Sequence, residues 1–130
     1  MIRNCTPEDI PWMVSSAKET YGVMLDDEPG LYDYANYTIQ DPDSIALRGE
    51  SSVVMAHCVK LFYSKKKVIM VQPFWGHARE VVQILNTVKK WGKTMGAEDM
   101  EYRILTKIKG KKLAKMLGGE EIKEHYVVRL

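Results

Sequence analysis

The stretch VQPFWGHAREVVQIL, residues 71–85, runs from apolar residues through Pro73, Trp75 and Gly76 into an amphipathic helical pattern. A helix start leaves its first N–H groups unpaired at the positive end of the helix dipole. Such a turn holds a phosphate when small residues let the anion approach the backbone. Gly76, Ala78 and Arg79 suit an anion there. Trp75 is bulky, and Glu80 is wrong in both size and sign. The residues leave open a working phosphate cradle and the remnant of one, with Trp75 able either to plug the turn or to stack on a base.

Other chemistry-bearing residues are scattered. His57 and Cys58 are adjacent on an apolar, strand-like stretch, and neighbouring strand residues point to opposite faces, so they form no Cys–His nucleophile pair. His57 alone could serve as a base. His57, His77 and His125 lack metal-ligand spacing, and no metal site is expected. Asp26, Asp27, Glu28, Asp33, Asp41 and Asp43 form an acidic stretch suited to a cationic amine or simply to solvent. Lys107, Lys109, Lys111, Lys112 and Lys115 form a basic run. It has no interleaved aromatics or nucleic-acid motif, which ranks nucleic-acid binding low.

The elements that must carry these residues follow from periodicity. Met1–Asn4 reads as an edge strand. Thr6 with Asp9 resembles a capping box ahead of a helix to Tyr21, whose apolar positions are Ile10, Met13, Val14 and Ala17. Leu31, Tyr34, Ala35 and Ile39 mark a short second helix. Ser44–Arg48, Val53–Tyr63 and Val68–Gln72 read as a three-strand meander, the middle strand apolar enough to be covered on both faces. Val81, Val82, Leu85, Val88, Trp91 and Met95 give the strongest helix pattern, stopped by Gly96. Asp99–Leu105 alternates like a strand, Lys109–Leu117 is a short basic helix, and Glu121–Leu130 is a last strand or hairpin arm. This order predicts an α/β (α+β) domain over residues 1–130, a mixed sheet with helices on both faces.

At 130 residues the chain fits one domain, and 45% hydrophobic with 28% charged residues excludes disordered and fibrous classes. No apolar run reaches the roughly 20 residues that span a bilayer. MIRNCTPEDIP lacks the order of a signal peptide, and Cys5 and Cys58 make no disulfide framework, so a cytoplasmic protein with reduced thiols is expected. Residues 1–50 hold three Lys/Arg against ten Asp/Glu, and residues 51–130 hold sixteen against seven. One side is therefore acidic and the other basic, and the basic side suits phosphates.

With these elements in place, the chain resembles the GNAT superfamily of acyl-CoA-dependent N-acetyltransferases. MIRNCTPEDIPWMVSSA is similar to the family's opening strand and helix, and KKVIMVQPFWG to its fourth strand and turn. EVVQILNTVKKWGKTMGAEDMEYRI resembles its central helix and fifth strand, and KKLAKMLGGEEIKEHYVVRL its ending. The resemblance implies a mostly antiparallel sheet whose strands four and five splay apart around acetyl-CoA. It places the pantetheine arm against Met70 and Val71, and the diphosphate on the turn Gly76, His77, Ala78 and Arg79. The family's Arg/Gln-x-x-Gly-x-Gly/Ala motif falls here on Trp75–Glu80 and fits it poorly. The position of the family's last-helix tyrosine is Ala114, and Thr106 and Lys107 stand where an Asn is usual. Tyr102, on strand five, and His57 are the remaining acid–base candidates.

Two functions follow. One is transfer of an acetyl group from acetyl-CoA to a primary amine: a protein lysine, an N-terminus or a small amine. The alternative is a GNAT-fold protein that has lost catalysis and binds another protein, as a small viral (phage) or accessory protein would. The partners are then acetyl-CoA with an amine acceptor, or a protein.

Overall fold

The apolar residues after Gly76 recur on one side of a helix, α3 (Ala78–Thr94), and Val81, Ile84, Leu85 and Val88 are fully buried beneath it. Each such side chain contributes about 1.5–3 kcal/mol by leaving water. Around α3, the computed structural model describes residues 1–22, 27–102, 110–118, 120–122 and 125–130. The elements before it are β1 (Arg3–Asn4), α1 (Ile10–Tyr21), α2 (Glu28–Gln40), β2 (Ser44–Arg48), β3 (Val53–Lys60) and β4 (Lys67–Trp75). After it come β5 (Asp99–Tyr102), α4 (Gly110–Leu117), β6 (Glu120–Ile122) and β7 (His125–Arg129).

The strands form one sheet in the order β1-β2-β3-β4-β5-β7-β6. Every neighbouring pair is antiparallel except β4 with β5. Helices α1 and α2 cover one face, over Ala46, Val53, Met55 and Trp75. Helices α3 and α4 cover the other, over Val54, Ala56, Ile69, Val71, Met100 and Tyr102. Residues Val53–Ala56 of β3 are buried without a break, as expected of a strand covered on both faces. No helix among the described residues is long and apolar enough to cross a membrane.

Three boundaries differ from the sequence reading. β3 stops at Lys60, because Leu61 N–H donates to Lys66 O at 3.1 Å and closes a turn, which leaves Phe62 and Tyr63 exposed. β4 runs past Pro73 to Trp75. The register slips there, Ala56 facing Val71 and Val54 facing Phe74, and an irregular step is where a strand tolerates a residue without an N–H. The ending is a hairpin, β6 with β7, and not a single arm.

The start of α1 is held by charge. Asp9 accepts from Thr6 N–H at 2.8 Å, completing the expected capping box. The same carboxylate accepts from Arg3 at 2.8 Å and Arg48 at 3.0 Å, so a residue only 7% exposed keeps its charge paired. The Arg3 guanidinium, against the cost of burial and with help from Thr6 and Arg48, holds the Asp9 carboxyl far below the usual carboxylate range.

Candidate functional site

Strands β4 and β5 pair from Val68↔Asp99 to Val71↔Tyr102. β4 continues for residues 72–75 beyond the last of these pairs, and the chain after Tyr102, residues 103–109, lies outside the described residues. Met70 and Val71 therefore sit within the ladder, opposite Glu101 and Tyr102. The stretch of β4 with no described β5 neighbour is Gln72–Trp75, and it leads directly into the start of α3.

At that start His77 is the N-cap, and no side chain caps the helix. His77 N–H donates to Ser52 Oγ at 3.0 Å. The next intrahelical bond runs from Val81 N–H to His77 O, so Ala78, Arg79 and Glu80 have N–H groups without a partner among the described residues. Gly76 turns the chain at φ +124°, and a Cβ there would lie 2.5 Å from Ser52 Cα, so only glycine fits. Gly76, His77, Ala78 and Arg79 are all exposed.

Neither side chain that threatened this turn occupies it. The Trp75 indole is 2% exposed and lies on the α1 face of the sheet, donating from Nε1 to Ser16 Oγ at 2.7 Å and meeting Tyr21 edge-on at 6.0 Å. This corrects both roles considered for it: strand alternation turns it away from the α3 side, where Phe74 points instead. Glu80 bends back to the β2–β3 turn and accepts from Glu50 N–H at 3.1 Å and Ser51 N–H at 3.0 Å. Gly49 makes room for it, since a Cβ there would collide with the Glu80 carboxyl group. Burial pushes that carboxyl up, but hydrogen bonds from Ser52, Ser51 and Glu50 outweigh it and hold it below the usual range.

On the opposite face, α2 lies over β2 and β3, and Tyr34 reaches from it to β4. Tyr34 Oη lies 2.9 Å from the Gln72 carbonyl and 2.5 Å from His57 Nε2, and its one hydrogen can serve either contact. His57 Nδ1 meets Ser44 Oγ at 2.7 Å, and Ser44 Oγ meets Asp41 Oδ2 at 2.5 Å. Burial lowers the His57 pKa against the pull of Asp41, and raises that of Tyr34. Two cavities flank this chain of contacts. One, of about 210 Å³, is apolar and lies between α1, α2 and Pro73 and Trp75 of β4. The other, of about 360 Å³, is lined by Tyr37, Asp41, Asp43, Ser44 and His57. Tyr34 belongs to both walls.

The remaining expected residues are placed as follows. Cys58 turns to the α3-side core, away from His57. Tyr102 is 1% exposed and packs edge-on against Phe74 at 6.0 Å within the same core. Among the described residues the acidic stretch does not act as one group: Asp27 caps α2 through Gly30 N–H, Glu28 pairs with Lys18, and Asp41 and Asp43 reach the cavity beside His57. Asp26, Thr106, Lys107 and Lys109 lie outside the described residues; Ala114 is on α4. No group of His, Cys, Asp and Glu among the described residues could hold a metal ion. Periodicity marks Tyr34 only as a position of the second helix, not as a partner of His57. A tyrosine one helical turn from Thr38, on a helix followed by an Asp-Pro-Asp turn, looks like packing until α2 is seen to cross His57.

No family model and no curated relative matches the sequence. Solved structures do match over nearly the whole chain. Arabidopsis thaliana NAA60, determined in complex with acetyl-CoA, is similar at TM-score 0.75 and 8% identity, covering 100% of this chain and 98% of that one. The aminoglycoside 6'-N-acetyltransferase AAC(6')-Ih of Acinetobacter baumannii is similar at TM-score 0.71 and 9% identity, covering 93% and 90%. A probable acetyltransferase is similar at TM-score 0.74 and 15% identity, covering 95% and 92%. The fold is thus the GNAT fold that the sequence resembled, with β4 and β5 as its parallel pair.

Proposed function

We propose that the protein is an N-acetyltransferase that moves an acetyl group from acetyl-CoA to a primary amine. One observation carries this reading. The start of α3 offers the N–H groups of Ala78, Arg79 and Glu80 without a partner among the described residues, and Trp75 and Glu80, which could have closed it, are bonded elsewhere. Unpaired amides, a helix dipole and the adjacent Arg79 suit the diphosphate of coenzyme A. The β4 backbone next to it, Gln72–Trp75, is the stretch on which a pantetheine arm would lie, in place of Met70 and Val71, whose positions are taken up by the ladder.

Bound there, acetyl-CoA supplies the acyl group as a thioester. The chain's own part is to hold that group still against an amine, and positioning alone is worth several kcal/mol. The cavities beneath α1 and α2 lie on the acceptor's side of β4, and Asp41 and Asp43 favour an amine that arrives as a cation.

The test is incubation with acetyl-CoA and a panel of lysine peptides, peptide N-termini and polyamines, following thiol release and the acetyl mass gain. Transfer to at least one class, with acetyl-CoA at 100 times its Kd stabilising the fold by about 2.7 kcal/mol, is expected. The second reading, protein binding without catalysis, draws on Phe62 and Tyr63, 99% and 72% exposed at the β3–β4 turn. An unshifted melt at millimolar acetyl-CoA, with no transfer, selects it.

A further inference from the structure

We infer that Tyr34, His57, Ser44 and Asp41 form a proton relay that carries the acceptor amine's proton from the apolar cavity to the acidic one. The inference rests on the acetyl-transfer reading above and adds the acid–base machinery that the last helix lacks.

Proton counting supports it. Four contacts link the Gln72 carbonyl, Tyr34 Oη, the two nitrogens of His57, Ser44 Oγ and Asp41 Oδ2. Four hydrogen bonds need four hydrogens. Tyr34 and Ser44 supply one each, and a neutral imidazole supplies one, so one contact is left without a proton. Leaving it between Ser44 Oγ and the Asp41 carboxylate would press a lone pair against a charge at 2.5 Å. Leaving it at either imidazole nitrogen would press two lone pairs together at 2.5 or 2.7 Å, whereas leaving it at the neutral Gln72 carbonyl, 2.9 Å from Tyr34, costs less. The resting state is therefore Nδ1–H toward Ser44, with the Nε2 lone pair facing the Tyr34 hydroxyl. Adding one proton to His57 satisfies all four contacts, so the chain is built to receive one.

The stoichiometry agrees. An ammonium and a thioester give an amide, a thiol and one proton. Of the two protons lost by nitrogen, one ends on the thiol sulfur as the C–S bond gives way to C–N. The other is the one to be exported. Tyr34, whose ring borders the apolar cavity, takes it at Oη while passing its own hydrogen to His57 Nε2. The imidazolium then releases Nδ1–H through Ser44 to Asp41, on the wall of the larger cavity. Burial keeps His57 neutral and ready. The titratable groups around it are Tyr34 and Tyr37 from α2, Asp41 and Asp43 from the following turn, Cys58 beside it, and Glu101 of β5 on the same face beyond Met70.

The test measures kcat/KM against pH for the wild type, Tyr34→Phe and His57→Gln, with the imidazole tautomer read by ¹⁵N NMR. Because the base must be unprotonated, wild-type activity should fall only below the ordinary imidazole pKa of about 6.5. Both variants should lose about 10²–10⁴-fold in kcat/KM, keep the KM for acetyl-CoA, and climb with pH toward the amine's own pKa. The wild-type spectrum should show the Nδ1–H tautomer. A Tyr34→Phe enzyme within threefold of wild type, or an Nε2–H tautomer, overturns the relay while leaving acetyl transfer intact. A wild type that neither binds acetyl-CoA nor transfers removes the proposed function, and the relay's role with it.

Discussion

Replacing Glu80 with Ala separates two pictures of the α3 start. If its carboxylate lay over the helix amides, removing it would open the anion site. In the structure it braces the β2–β3 turn through the N–H groups of Glu50 and Ser51, so removal should destabilise the fold. Hydrogen bonds to a charged acceptor contribute about 1.5–3 kcal/mol each when buried, but these turn amides are exposed and water replaces the lost partner. A low-end value for the pair, plus the few tenths an acid contributes in a helix's first turn, gives about 2 kcal/mol. For a domain of this size that is roughly 8 °C in Tm. The folded pKa of Glu80 lies below its unfolded value, so its contribution is present above about pH 4.3 and is lost as pH falls through the folded pKa. Melting the wild type and Glu80→Ala from pH 7 to pH 3 should show a gap that closes on acidification. Acetyl-CoA affinity should change by less than about fivefold, under 1 kcal/mol. A variant that melts like the wild type and binds acetyl-CoA ten times tighter would refute the placement of the carboxylate.

Two further substitutions probe the scaffold. Trp75→Phe loses the bond to Ser16 and part of the contact with Tyr21, so it should cost about 1–3 kcal/mol in denaturant melts and leave acetyl-CoA affinity unchanged; a large affinity loss would put the indole in the cofactor site. Asp9→Asn strands Arg48 and weakens the cap, costing about 2–4 kcal/mol at pH 7. Since Asp9's folded pKa is depressed, that difference should begin to shrink as pH falls below about 3.9 and be lost only through the far lower folded pKa, and a pH-independent difference would contradict the ion pairing. Burial pushes the Cys5 thiol up to about 12, so native protein should react with a thiol reagent at Cys58 well before Cys5, as peptide mapping will show.

Much of the fold was legible because its elements carry strong local signals. Thr6 and Asp9 announced α1, the Val81–Val88 periodicity announced α3, and a nearly continuous apolar run announced β3. Strand ends were not legible, because apolar residues such as Phe62 and Tyr63 prolong the pattern of β3 past the point where a turn ends the pairing. Pro73 misled in the other direction, since only the β3–β4 register shows that a proline can stand inside β4. At the candidate site the turn was found from its glycine, but the directions of Trp75 and Glu80 depend on partners 59 and about 30 residues away. Tyr34 meets His57 across 23 residues, a contact that no local spacing encodes.

The most direct measurement follows the backbone amides of Ala78, Arg79 and Glu80 by ¹H–¹⁵N NMR while acetyl-CoA is added. Those three signals should move together and saturate with the dissociation constant found calorimetrically, with inorganic diphosphate competing. Tight binding that leaves them unmoved, or no binding at millimolar ligand, would contradict an anion site at the start of α3.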